Sequence, residues 1–183
     1  MSASTLLKSM LVYQAWANDE LLEKLVGLDP CSAQTERHAA LRLMNHIHVV
    51  SRIFAAHLTG VAHGYAGDNT GETPEPDALR VAMARTDRWY LDYLETVSGQ
   101  ALSQSVAFTF TDGDEGCMTR REMLTHVVLH GGYHRGEIGR ILASIGISPP
   151  WDTHAVHLHR AEPARRWQKT ERGDGGHTIQ CEL

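Results

Sequence analysis

Four stretches of this chain carry apolar residues at intervals of three and four. That period, sustained over several turns, restricts the fold to helices that bury one face against each other. The first stripe is Leu6, Met10, Tyr13, Ala17, Leu21 and Leu25, and Pro30 stops it because proline has no amide hydrogen to continue the ladder. The second is Leu43, Ile47, Val50 and Phe54, and the third is Leu79, Met83, Trp89, Tyr90, Tyr93 and Leu94. A fourth runs from Thr119, where Glu122 completes a capping-box pattern, to "GISPP". The spacing predicts helices over about residues 5–28, 38–58, 76–98 and 120–145.

The intervening segments are turn-rich. "GVAHGYAGDNTGETPEP" is dense in glycine, proline and turn formers, and it reads as a long connection between the second and third helices. "SVAFTFTDGDEG" alternates partly and then turns, the pattern of a short extended piece or hairpin. The expected fold class is all-α: a four-helix bundle with a long connection between helices 2 and 3 and a short C-terminal extension. The bundle is expected over 1–160 and a partly ordered tail over 161–183, with "DTHAVHLHRAEPARRW" forming a short helix on the bundle and "KTERGDGGH" loose. A chain of 183 residues is long enough to bury a core without a structural metal.

Charge narrows the partners. With 17 Lys and Arg against 22 Asp and Glu, the net charge is -5, so the chain offers no general field for nucleic acid. The one basic run is "RRWQK" near the end. The N-terminal stretch has polar interruptions and no basic opening, so neither a signal peptide nor a membrane span is expected, and the expected location is the cytoplasm. Cys31, Cys117 and Cys181 form no CxxC pair, which fits a reducing compartment and argues against a sulfur-rich metal site.

Chemistry concentrates in "THVVLHGGYHRGEIGR". His130 and His134 are four apart, about 40° around a helix and about 6 Å along it, so both rings can face one ion. His126 lies a further turn away, and eight residues span roughly 12 Å, so all three cannot chelate one ion together. Gly131 and Gly132 sit between the pair at a cost of about 1 kcal/mol each relative to alanine, a hint of close packing or a ligand. A third imidazole can come from "MNHIHVV" in the second helix. His46 and His48 are about 200° apart on that helix, so only one can face the bundle axis. His46, on the side of Val50 and Ile53, is the preferred ligand, and His48 is expected at the surface.

Glu137 has three open roles: fourth ligand, acceptor orienting a histidine N–H, or ion-pair partner of Arg140 or another cation. Tyr133 and Arg135 flank His134 about 100° away and need not enter the pocket. Tyr13, Trp16 and Asn18 read as core aromatics and a local polar contact, with lining of the cavity as the alternative. "PARRW" could hold an anionic substrate or cap a subunit, or be a solvated patch. Three imidazoles and an open position select zinc, nickel or iron over magnesium and calcium. The Glu-x-x-His pairs of carboxylate di-metal bundles are absent, as are HExxH and any glycine-rich phosphate loop.

Taken together, "YQAWANDELL", "MNHIHVVSRIFAAHLTG" and "HVVLHGGYHRGEIGRILASIGISPP" resemble the DinB family, the four-helix bundles related to YfiT-type proteins and thiol-dependent transferases. The resemblance covers most of residues 5 to 150. It implies one divalent metal, nickel or zinc, on His46, His130 and His134, with His126 beside the site and outside the ligand set. Glu137 stands where the family often has glutamine, and Ser51 where it commonly has an acid. A homodimer and no role in DNA binding are further implications. So is a metal-dependent enzyme acting on a small molecule, by thiol transfer, isomerisation of a thiol adduct, or hydrolysis. The alternative is a non-catalytic metal-stabilised bundle or a stress-related binding protein. No residue is assigned as catalytic.

Overall fold

A computed structural model describes residues 2–165. Four long helices, α1 (Ala3–Val26), α2 (Gln34–Thr59), α3 (Pro76–Thr96) and α4 (Arg120–Ser144), form the bundle, and α5 (His154–Ala161) lies against α1. Within the bundle α1 pairs chiefly with α3 and α2 with α4, while α1–α4 and α2–α3 contacts close the ring. No described helix is long and apolar enough to cross a membrane.

The helix ends follow local chemistry. Ser2 caps α1 by accepting from the Thr5 amide at 3.1 Å. Thr119 and Glu122 cap α4 reciprocally, the Glu122 amide donating to Thr119 Oγ1 and the Thr119 amide to Glu122 Oε2. Pro76 starts α3 at the first helical positions, where a missing amide hydrogen costs nothing. The α2 helix begins four residues before its expected start, because Ala33 takes the left-handed conformation (φ 45°) and turns the chain into the helix early. At its other end Gly60 (φ 72°) permits the left-handed cap that satisfies the last carbonyls.

Between α3 and α4 the chain forms the expected hairpin, β1 (Ser105–Thr109) and β2 (Glu115–Thr119), antiparallel with Ser105 opposite Thr119 and Thr109 opposite Glu115. Phe108 and Phe110 lie over Gly116, where a Cβ would come within 2.8 Å of both rings.

Two apolar layers fill the bundle. One gathers Leu7, Leu11, Phe54, Leu58, Tyr90, Leu94, Met123 and Val127, and the other Leu21, Leu25, Met44, Ile47, Leu79, Met83, Ile138 and Leu142. Polar residues that are nonetheless buried, Gln14, Asn18, Asp87 and Arg135, fall on their helices between the residues of the two layers. The candidate site lies on that same level of α4.

One expectation is corrected. His48 is not a surface histidine: it is half-buried towards α3, with Nε2 3.2 Å from Thr86 Oγ1, and burial first, then Arg52, pushes its pKa down to about 4. Two-face reasoning failed because α2 borders α3 as well as α4, leaving it no simple solvent side. Most of the basic "RRWQK" run and the stretch "KTERGDGGH" lie outside the described residues.

Candidate metal centre

The α4 helix carries His130 and His134 on the side facing α2, and α2 brings His46 to them. His46 Nε2 and His130 Nε2 are 3.0 Å apart. Ring centroids lie 4.6 Å apart for His46–His134 and 4.5 Å for His130–His134. One ring nitrogen from each of the three falls within 4.8 Å of the others. Metal–imidazole bonds of about 2.1 Å require nitrogens roughly 3 to 3.5 Å apart; the closest pair already has that separation, and the third nitrogen lies within 4.8 Å of both.

The outward nitrogens are engaged. His46 Nδ1 donates to the Asp68 carbonyl oxygen at 2.8 Å, with the Asp68 carboxylate 3.7 Å away. The Glu137 carboxylate accepts from His134 Nδ1 at 2.6 Å. A carbonyl oxygen can only accept, so the His46 proton belongs on Nδ1 and its lone pair on Nε2, facing the cluster. Acceptors on the far nitrogen are the usual companions of metal-ligating imidazoles. Burial, and then the neighbouring His46, His134 and His126 rings, push the His130 pKa down to about 3. It is therefore neutral at pH 7, as a ligand must be. The residues fit a divalent ion.

The other sequence-flagged groups sort by position. Glu137 meets His134 Nδ1, where an orienting acceptor would sit, and no ion pair joins it to Arg140 among the described residues. His126 packs its ring on Phe54 at 4.5 Å and lies 5.4 Å from His130, outside the convergent trio, with a pKa lowered by burial. Ser51 turns back to bond the Ile47 carbonyl. Tyr133 is exposed, its ring 4.9 Å from that of His134. Sequence reasoning missed Asp68, since a backbone carbonyl contributes through position and not residue type.

The DinB family's sequence model matches residues 1–171. The chain belongs to the DinB family. No curated protein and no solved structure matches it.

In this DinB-family chain the next α4 residue after His134 builds a second polar assembly facing α1. Arg135 Nε donates to Asp152 Oδ2 at 2.7 Å and Nη1 to Asn18 Oδ1 at 2.9 Å. Asn18 Nδ2 in turn donates to both Asp87 oxygens, at 3.0 and 3.2 Å, and Tyr13 Oη donates to Asp152 Oδ1. Burial is the main cause that pushes Asp87 up to about 6, against the opposing effects of Asn18 and Arg135. Tyr13 is likewise raised, by burial first and then by Asp152. Asn18 is thus part of a network joining three helices, more than a local contact. Gly131 serves this side of the helix: a Cβ there would meet Arg135 Nη1 at 2.9 Å and Gln14 Oε1 at 3.1 Å. A groove of about 640 Å³ runs beside the network, walled by Leu21, Ala143, Pro149 and Pro150 with Arg135 and Asp152 at its polar edge.

Proposed function

We propose that this DinB-family protein binds one divalent transition metal through His46, His130 and His134 and uses it in a reaction on a small molecule. The observation that carries this reading is the convergence of three imidazole nitrogens within 4.8 Å, two of the rings being held by acceptors on their other nitrogen. An all-imidazole set suits zinc, nickel and iron, and the DinB resemblance favours nickel or zinc.

Three protein ligands are the count found at catalytic sites, whereas structural sites close with four. With Glu137 bonded to His134 Nδ1, the convergent group among the described residues is the three histidines alone, which favours the catalytic reading over a metal that only stabilises the bundle. When bound, the ion would supply Lewis acidity, lowering the pKa of a thiol or a water molecule and so serving thiol transfer or hydrolysis. The chain's own residues hold the rings: Asp68 keeps the His46 proton on Nδ1, and Glu137 keeps that of His134 directed away from the cluster. The imidazoles of His46 and His134 are largely covered but keep 16% and 17% exposure, so the trio borders the solvent. A homodimer and a low-molecular-weight thiol cosubstrate belong to the same proposal.

Calorimetric titration of chelator-treated protein with zinc and with nickel tests it. One site per chain is expected, abolished in His134→Ala. Incubating the loaded protein with a panel of low-molecular-weight thiols and an electrophile should then give adducts faster than the metal-free protein. Equal rates with and without metal would remove the catalytic half of the reading.

A further inference from the structure

The connection between α2 and α3 is anchored where it passes His46. Asn45, almost fully buried and adjacent to His46 on α2, uses its Nδ2 to donate to Asn69 Oδ1 and to Thr70 Oγ1 at 2.6 Å. Asn69 returns a bond, its Nδ2 donating to the Arg42 carbonyl at 2.9 Å. Arg42 Nη1 donates to the Thr70 carbonyl, and the Thr70 hydroxyl to the Glu72 carbonyl at 2.6 Å. Residues 69 and 70 are therefore tied to one turn of α2 from three directions, and the residue before them, Asp68, presents its carbonyl oxygen 2.8 Å from His46 Nδ1.

We infer that Asn69, seated by Asn45 and Arg42, is a positioning residue that selects the tautomer of His46 and so presets its Nε2 lone pair for metal. The inference rests on the metal reading above and adds a role for the long connection. Free neutral imidazole partitions between two tautomers, and only the Nδ1–H form leaves Nε2 able to bind an ion facing His130 and His134. A solvated loop would let the ring exchange and rotate. A loop stapled to the helix at the adjacent residue holds one acceptor against Nδ1 and fixes both tautomer and ring plane. Removal of such an outer acceptor from a histidine ligand typically weakens metal binding by about 10- to 100-fold. Asn69 touches neither the ion nor a substrate; it acts through the Asp68 carbonyl.

The test has a readout that needs no metal and no activity. Nitrogen-15 chemical shifts of the His46 ring, recorded on chelator-treated protein near pH 7.5, should show the Nδ1–H tautomer in the wild type and a mixture in Asn69→Ala. Zinc titration of the same two proteins should show one site in each, with affinity at least tenfold lower in the variant. Asn69→Asp, which keeps the acceptor for Asn45, should restore part of the tautomer preference. Thr70→Ala, which removes the other acceptor, should scramble the ring in the same direction as Asn69→Ala and serves if that variant does not fold. A His46 ring already in the Nε2–H form, or an unchanged tautomer and zinc affinity in Asn69→Ala and Thr70→Ala, would overturn the latch while leaving the metal reading intact. A wild-type protein that carries the Nδ1–H form yet binds no zinc or nickel would instead overturn the metal reading.

Discussion

The two sides of α4 use buried polar groups in opposite ways. Towards α1, Arg135 donates to Asp152 and Asn18, and Asn18 to Asp87, forming one continuous assembly. Towards α2, His46 and His130 turn nitrogens on each other at 3.0 Å with His134 beside them, and only the far sides of His46 and His134 have acceptors. The first assembly ties α1, α3 and α4 together through mutually bonded side chains. The second gathers three imidazole nitrogens within 4.8 Å of one another, two of them bonded to each other at 3.0 Å, a like-on-like arrangement that suits a shared ion. One residue's rotation of about 100°, from His134 to Arg135, separates the two roles.

The contrast predicts its largest effect in stability. Arg135→Ala leaves Asp87 and Asp152 without their buried cation and should cost about 3 to 5 kcal/mol, whereas His130→Ala in metal-free protein removes one neutral ring and should cost much less. Urea denaturation of both variants after chelator treatment checks the ordering, and equal losses would erase the distinction between the faces.

The next effect is a pH dependence on the α1 side, opposite in sign to that of the depressed His130 and His48 and isolated from it by comparing an Asp87 variant with the wild type. Asp87 is raised from 3.8 to about 6 in the fold, so the folded chain keeps a proton that the unfolded chain releases. Its contribution is thus most favourable below pH 3.8 and declines as pH rises to about 6, by about 2 to 3 kcal/mol across the window. Asp87→Asn should remove that decline. Stability measured between pH 4 and 7 with the same slope in variant and wild type would show that Asp87 is solvated and not part of a closed network.

Two adjacent glycines sharpen the comparison. Gly131→Ala gains helix propensity but drives a methyl towards Arg135 Nη1 and Gln14 Oε1, and since Asn18 holds that guanidinium the expected net loss is about 1 to 2 kcal/mol. Gly132→Ala meets nothing nearer than Arg135 Nη2 at 3.8 Å and should stabilise the chain by up to about 1 kcal/mol. Melting curves of the two variants should therefore move in opposite directions. On the α2 side the smallest effect belongs to Glu137→Gln, which keeps an acceptor for His134 but loses its charge. Zinc affinity should fall by no more than about tenfold with the fold unchanged.

These two faces were unequally legible in the sequence. Helix number, the Thr119–Glu122 cap and the four-residue interval of His130 and His134 depend on neighbours within one or two turns, and local pattern carries that information. His46 could be chosen because a bundle must bring α2 and α4 together somewhere, and the match to the DinB motifs pointed to the same residue. The Arg135 network was invisible: its partners lie 17 residues away at Asp152, 117 away at Asn18, and on a third helix at Asp87. Nothing in local spacing reports which of many polar residues a packed interface will enclose. The same holds for the Asp68 carbonyl, a group every residue possesses, although the polar "DNT" set close to a histidine-bearing helix was the available signal. His48 was misplaced because angular reasoning on one helix cannot count its neighbours.

The central claim is that the α2-facing side holds a metal and the α1-facing side does not need one. Elemental analysis of purified wild type and single alanine variants tests it most directly. One equivalent of nickel, zinc or iron per chain is predicted for the wild type and for His48→Ala and His126→Ala, with sharp loss in His46→Ala, His130→Ala and His134→Ala. Wild-type metal content in the His130 variant, or loss confined to His48→Ala or His126→Ala, would contradict the account.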